Sequence, residues 1–190
     1  MDCLEKGGVI VFPTDTLYGL GADISNEVAL TRIFEIKGRP SQMALPVLVS
    51  DWSQALTITN GMSEAGYRLA KHFWPGPLTL VAQKSRDLSD LVTGGLDTVA
   101  VRQPDHWVPL RLAVELGPIT GTSANLSGGP DLLSIDAIQG QLGPTVDHFV
   151  RCGPPPKGTS STVVDITTGT PRLIREGALP FTELLAVCGQ

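Results

Sequence analysis

The sequence is short of most things that usually announce a function. It has three cysteines, Cys3, Cys152 and Cys188. They are odd in number, far apart and outside any CxxC pair, which argues against a disulfide framework or a cysteine-built zinc site. His72, His106 and His148 are equally scattered, so no histidine-based metal centre is expected. Cations are few: 14 Lys and Arg stand against 19 Asp and Glu, a formal charge of −5. That balance disfavours nucleic-acid binding by bulk electrostatics, while leaving room for a local basic groove. No apolar run approaches the length of a membrane span and no signal peptide opens the chain, so the expected setting is a reducing cytoplasm, without a membrane partner. Phosphate-loop and hydrolase signatures are missing too. There is no GxxxxGK(S/T), and the prolines of "GPPPKGTS" (Gly153–Ser160) remove the amides that a phosphate nest needs. "GTSAN" is not GxSxG, and "GLG" at Gly19–Gly21 lacks the third glycine of a dinucleotide fingerprint.

What is present describes a globular chain. Of 190 residues, 42% are apolar and 17% charged, which fits one domain over residues 1–190 with a real core. With 21 glycines and 15 prolines, shaped loops are expected. Short apolar runs alternate with amphipathic ones. Strands are predicted at Gly8–Pro13, Leu45–Ser50, Leu78–Gln83, Thr98–Arg102, Pro118–Thr122 and Ser161–Ile166, the last paired with Arg172–Ile174. Helices are predicted at Asn26–Ile36, from Ser63 to Phe73, from Asp105 to about Leu116, from Ser134 to about Leu142 and at Phe181–Val187. This alternation implies an α/β fold, a mixed sheet covered by helices.

Polar residues collect at the strand ends. "FPTDTLYGLG" (Phe12–Gly21) delivers Thr14, Asp15 and Thr16 into a turn, which either satisfies its own backbone or presents hydroxyls to a small ligand. "GTSANLSGG" (Gly121–Gly129) repeats the arrangement; an extended backbone there points Ser123, Asn125 and Ser127 to one side. Arg102 closes "TVAVR", Ser161 opens "STVVDI" and Arg175 follows "LI". Several cations and hydroxyls at strand ends suit a shared anionic ligand, because α/β sheets bind ligands along such edges. "IFEIKGRP" (Ile33–Pro40) stays ambiguous on its own. Lys37 and Arg39 favour the negative end of a helix dipole, and Gly38 suits a left-handed cap. The same residues can hold an anion.

Seven stretches in register, "PTDTLYGLG", "KGRP", "FWPGPLTLV", "VAVRQPDH", "TSANLSG", "SSTVVDI" and "LIREG", resemble the YrdC-like family of threonylcarbamoyl-AMP synthases from about Gly7 to Gly177. The resemblance implies a twisted mixed sheet with a basic concave face. It implies the reaction of L-threonine, bicarbonate or CO2 and ATP to threonylcarbamoyl-adenylate and pyrophosphate, with Mg2+ carried mainly by the ATP phosphates. The product would serve threonylcarbamoylation of tRNA position 37 through a separate transferase complex. It assigns catalysis to Lys37 and Arg39, and ATP or substrate binding to Thr14, Thr16, Arg102, Thr122, Ser123, Asn125, Ser161 and Arg175. The chain departs from the family pattern at Leu48 and Ala44, where some members have histidine and proline. Only Met1–Lys6 stands where a longer N-terminal helix is common, and the C-terminal domain of longer members is expected to be absent. Competing readings are a non-catalytic RNA-binding module, and a carbamoyl-adenylate-forming domain using carbamoyl phosphate.

Overall fold

A computed structural model describes residues 1–189. In chain order the elements are α1 (Asp2–Glu5), β1 (Ile10–Phe12), β2 (Gly19–Gly21), α2 (Glu27–Lys37), β3 (Val47–Leu48), α3 (Trp52–Ile58), α4 (Glu64–Phe73), β4 (Leu78–Gln83), α5 (Asp90–Thr93), β5 (Thr98–Arg102), α6 (Trp107–Leu116), β6 (Ile119–Thr120), β7 (Thr122–Ser123), α7 (Ile135–Leu142), β8 (His148–Phe149), β9 (Thr162–Asp165), β10 (Arg172–Arg175) and α8 (Phe181–Cys188). The mixed α/β class expected from the alternation holds.

The strands divide over two sheets, however, where one was expected. The smaller has the order β7-β2-β1-β8 and the larger β10-β9-β4-β5-β3-β6. Both are mixed: β1 pairs antiparallel with β2 and parallel with β8, while β4 pairs antiparallel with β5 and parallel with β9. The division occurs inside the predicted strand Pro118–Thr122. β6 pairs with β3 in the large sheet, and β7 pairs with β2 in the small one. Gly121, between them, donates its N–H to the Pro46 carbonyl, and a Cβ there would stand 2.4 Å from the Leu48 side chain. No other residue fits so close an approach. Each sheet's inner face reaches a common core, in which Val11 and Leu20 of the small sheet, with Val9 just before β1, join Leu78, Leu80 and Val164 of the large one. Each such side chain contributes about 1.5–3 kcal/mol by leaving water.

Local chemistry sets the helix ends. Asn26 caps α2 by accepting from the Ala29 N–H at 3.0 Å, and Gly38 ends it at φ 60°, ψ 40°. Ala29, Leu30, Ile33 and Phe34 form the buried face, whereas Val28 is 72% exposed and lies off it. Ser63 and Ser134 cap α4 and α7 as predicted. α6 differs: His106, rather than Asp105, is the cap. Its Nδ1 accepts from Val108 N at 3.1 Å, leaving Nε2–H to donate to the Pro154 carbonyl at 3.1 Å, so one ring fixes both the helix and the Gly153–Ser160 loop. β2, β8, α3 and α5 have too few residues for a period to show.

Candidate active site

The division of the sheets leaves a cavity of about 510 Å³ beside Gly121. Its wall takes Thr14 and Thr16 from the β1–β2 turn, Arg39 from beyond α2, Arg102 from β5, Thr122 and Ser123 from β7, and Ser161 and Arg175 from the β9–β10 side. Eight of the ten residues expected at the site therefore converge on one space. Ala44 and Leu48, where the sequence departs from the family pattern, also line it.

The β1–β2 turn is ordered by its hydroxyls. Thr14 Oγ1 accepts from the N–H groups of Thr16 and Leu17 and donates to the Leu17 carbonyl at 2.7 Å. Thr14 and Thr16 hydroxyls lie 3.0 Å apart, and Thr16 Oγ1 accepts from Arg102 Nη1 at 2.7 Å. The Thr14 proton is given to Leu17, so in any hydrogen bond between the two hydroxyls Thr16 is the donor.

Arg102 is not a free cation. Its Nη2 donates to Asp15 Oδ1 at 2.5 Å and its Nε to the Gly76 carbonyl at 2.9 Å, with both partners of the ion pair buried. Burial pushes the guanidinium below the usual arginine range, and the Asp15 carboxylate opposes that. Arg102, expected to bind ATP or substrate, lines the cavity with its charge already met by Asp15.

Lys37, expected in catalysis, is placed differently from most of the other site residues. It is 3% exposed and lies behind the cavity wall, as does Asn125. Its Nζ donates to the carbonyls of Ser123 (2.5 Å) and Asn125 (2.8 Å) and to Asn125 Oδ1 (3.3 Å). Three ammonium protons meet three neutral acceptors, and none remains for a ligand. The Lys37 carbonyl in turn accepts from Ser127 N at 2.9 Å. Ser123 Oγ donates to Asn125 Oδ1 at 2.7 Å, and Asn125 Nδ2 donates to the carbonyls of Gly129 and Pro130. The backbone turns here, with Asn125 N donating to Ser123 O, so the extended presentation of Ser123, Asn125 and Ser127 does not occur. Lys37 and Asn125 tie the end of α2 to the loop after β7. Burial and the neighbouring Arg39 bring the Lys37 ammonium down to about 8, partly offset by Asp131.

Arg39 and Arg175 are different. Arg39 Nη2 donates to the carbonyls of Met43 (3.3 Å) and Ala44 (3.1 Å), its guanidinium carbon sits 5.4 Å above the Phe34 ring centre, and its buried Nε has no partner. Arg175 Nη2 donates to Ser161 O at 2.8 Å. Neither makes an ion pair among the described residues. Of the three arginines that line the cavity, Arg39, Arg102 and Arg175, only Arg102 has a carboxylate partner among the described residues.

Sequence reasoning missed Thr79, whose hydroxyl lies 2.8 Å from Ser161 Oγ, and Asp131, the one carboxylate among the described wall residues. Thr79 reads as an ordinary strand residue until β4 pairs with β9, and Asp131 as a loop residue. Among the described residues no group of three or more His, Cys, Asp or Glu is placed to hold a metal ion, and no helix is long and apolar enough to cross a membrane.

Comparison with known proteins agrees with this fold. The Sua5/YciO/YrdC family model, described as "Telomere recombination", matches residues 2–177. The chain is 41% identical over 189 residues to a threonylcarbamoyl-AMP synthase of Pyrococcus abyssi, covering 98% of this chain and 55% of that one. It is 36% identical to a putative threonylcarbamoyl-AMP synthase of Mycobacterium leprae, covering 98% and 84%. A crystal structure of P. abyssi Sua5 complexed with L-threonine superposes with a TM-score of 0.93 at 41% identity, covering 99% of this chain and 56% of that one. The chain belongs to the Sua5/YciO/YrdC family. It spans about half the length of the P. abyssi relative.

Proposed function

We propose that this chain is a threonylcarbamoyl-AMP synthase, forming threonylcarbamoyl-adenylate and pyrophosphate from L-threonine, bicarbonate and ATP. One observation carries the reading: Arg39 and Arg175 face a hydroxyl-lined cavity with their charges met only by neutral oxygens. Such a space suits a ligand with several negative charges.

The reaction needs this arrangement. The threonine amine and bicarbonate give an N-carboxylate and water. A carboxylate oxygen of that carbamate then bonds to the α-phosphorus, and the bond from that phosphorus to the bridging oxygen of the departing diphosphate breaks. Nucleophile and target are both anionic, so fixed cations bring them together and stabilise the charge on the leaving group. Arg39 and Arg175 do this, while Thr122, Ser123 and the Thr79–Ser161 pair offer hydroxyls to orient the nucleotide. The Thr14–Thr16 turn receives the amino-acid end. A carbamate is already nucleophilic, so no strong base is needed. Mg2+, when bound, supplies further neutralisation of the phosphates. With Asp131 as the one carboxylate among the described wall residues, the chain itself would offer Mg2+ little, and the ion would be carried mainly by the nucleotide.

The product is a reactive mixed anhydride, suited to transfer onto adenosine 37 of tRNA by a separate transferase complex in the cytoplasm. The test is pyrophosphate release from ATP and Mg2+. Release requiring both threonine and bicarbonate is expected; release indifferent to threonine overturns the reading.

A further inference from the structure

We propose that His106 is a positioning residue: through the Pro154 carbonyl it holds the Gly153–Ser160 loop as a stiff strap, whose far end braces the β1–β2 turn. The inference rests on the function proposed above only for what the strap serves. The anchor itself is read from the loop.

A helix cap does not need an imidazole. A short oxygen side chain is the ordinary choice and Asp105 stands one residue earlier, yet the buried ring of His106 caps α6. What the ring adds is a second nitrogen. With Nδ1 accepting from Val108 N, Nε2–H donates to the Pro154 carbonyl at 3.1 Å, 48 residues away in the chain. The loop can lie this close only through a glycine. A Cβ on Gly153 would stand 2.7 Å from His106 Cε1 and 3.3 Å from Trp107 Nε1.

The loop carries that anchor onward. Gly153 and Gly158 have φ of 97° and 88°, and between them Pro154, Pro155 and Pro156 each have φ locked by the ring. A segment bent at two glycines, with three prolines between, moves nearly as one piece. At its far end Gly158 N donates to the Thr16 carbonyl at 2.8 Å. The Thr16 hydroxyl accepts from Arg102 Nη1 at 2.7 Å, and both residues line the cavity. Ser160 and Ser161, just beyond, line it too, and Ser160 O accepts from Ala178 N at 2.9 Å. Pro155, Lys157 and Thr159 are exposed, so the end contacts carry the restraint. His106 supplies the one at the root of the strap.

Substitution separates the two nitrogens. Asn is a preferred cap but too short to reach Pro154, whereas Gln carries an amide N–H to about the position of Nε2 and is not among the preferred caps. The experiment measures trypsin cleavage after Lys157, read by mass spectrometry as the fragment ending there, in the intact chain, His106→Asn and His106→Gln. Losing one hydrogen bond should open the loop and speed cleavage about 3- to 10-fold in His106→Asn. His106→Gln should return the rate toward the parent's, although its helix is the less well capped. Cleavage of His106→Asn at the parent rate overturns the proposal. So does acceleration in both variants in step with their loss of thermal stability, which marks a merely structural role. A second arm adds ATP with Mg2+, or threonine, at concentrations that calorimetry shows to saturate the parent chain. Bound ligand should slow cleavage at Lys157, because the far end of the strap belongs to the site. Binding without protection overturns the proposal and spares the function. Binding of neither ligand overturns the function, and the service of the strap with it.

Discussion

Arg102 and Arg39 border the same cavity, and their circumstances are opposite. Arg102 is 5% exposed and its charge is met by a buried carboxylate, Asp15, with the Gly76 carbonyl and the Thr16 hydroxyl taking two more protons. Arg39 is half-buried, lies on the Phe34 ring, and donates only to backbone carbonyls, with Nε unpartnered. One guanidinium is neutralised within the fold and the other lines the cavity with no carboxylate partner among the described residues. A buried charge that keeps its own counter-charge holds the chain together and costs much when broken. One that lacks it leaves attraction to spare for a ligand.

Three substitutions or conditions can break or sharpen that contrast. Arg102→Met strands Asp15 in the interior and should cost about 3–5 kcal/mol of stability, read from denaturant unfolding. The double variant with Asp15→Asn should recover much of the loss. Retention of full stability by the single variant would show that Asp15 is not paired as described. Arg39→Ala should change stability far less, since it loses only contacts to carbonyls and a ring. Its rate of adenylate formation should fall about 100-fold or more, the usual effect of removing a group aimed at transition-state charge. An active Arg39→Ala enzyme would end the distinction between the two arginines.

Lys37 gives the most particular effect. Its ammonium ionises at about 8 in the folded chain, against an ordinary 10.5. Between those values the unfolded chain holds more protons, so the contribution of Lys37 to unfolding free energy rises with pH from about 8 to 10.5 and is constant below 8. Activity should move the other way. A neutral amine has two protons for the three acceptors that order the Ser123–Asn125 loop. The rate is expected to decline with an apparent pKa near 8, while Lys37→Met removes the pH-dependent part of the stability. A rate flat to pH 9.5 would contradict the anchoring role.

Much of the fold was legible because its signals are local. β4 and β5 coincide with their predicted residues, and Asn26, Ser63, Ser134 and Gly38 act at helix ends as their chemistry dictates. The opening ambiguity of Lys37-Gly38-Arg39 resolves into a division of labour. Gly38 caps, Lys37 anchors a distant loop, and Arg39 faces the cavity. No local rule assigns those last two roles, because the acceptors of Lys37 lie 86 and 88 residues away.

By itself, then, the sequence determined the α/β class, the helix caps and the set of strand-end residues from which the cavity is built. Those depend on periodicity, side-chain hydrogen bonding and φ preference over a few neighbours. Tertiary structure alone decided that Gly121 parts the strands into two sheets, that Asp15 neutralises Arg102, that Lys37 and Asn125 stand behind the wall, and that Asp131 joins it. Each of these is a contact between residues distant in the chain. A charge has no fixed meaning until packing settles whether its partner is a carboxylate, a carbonyl or the space left for a ligand.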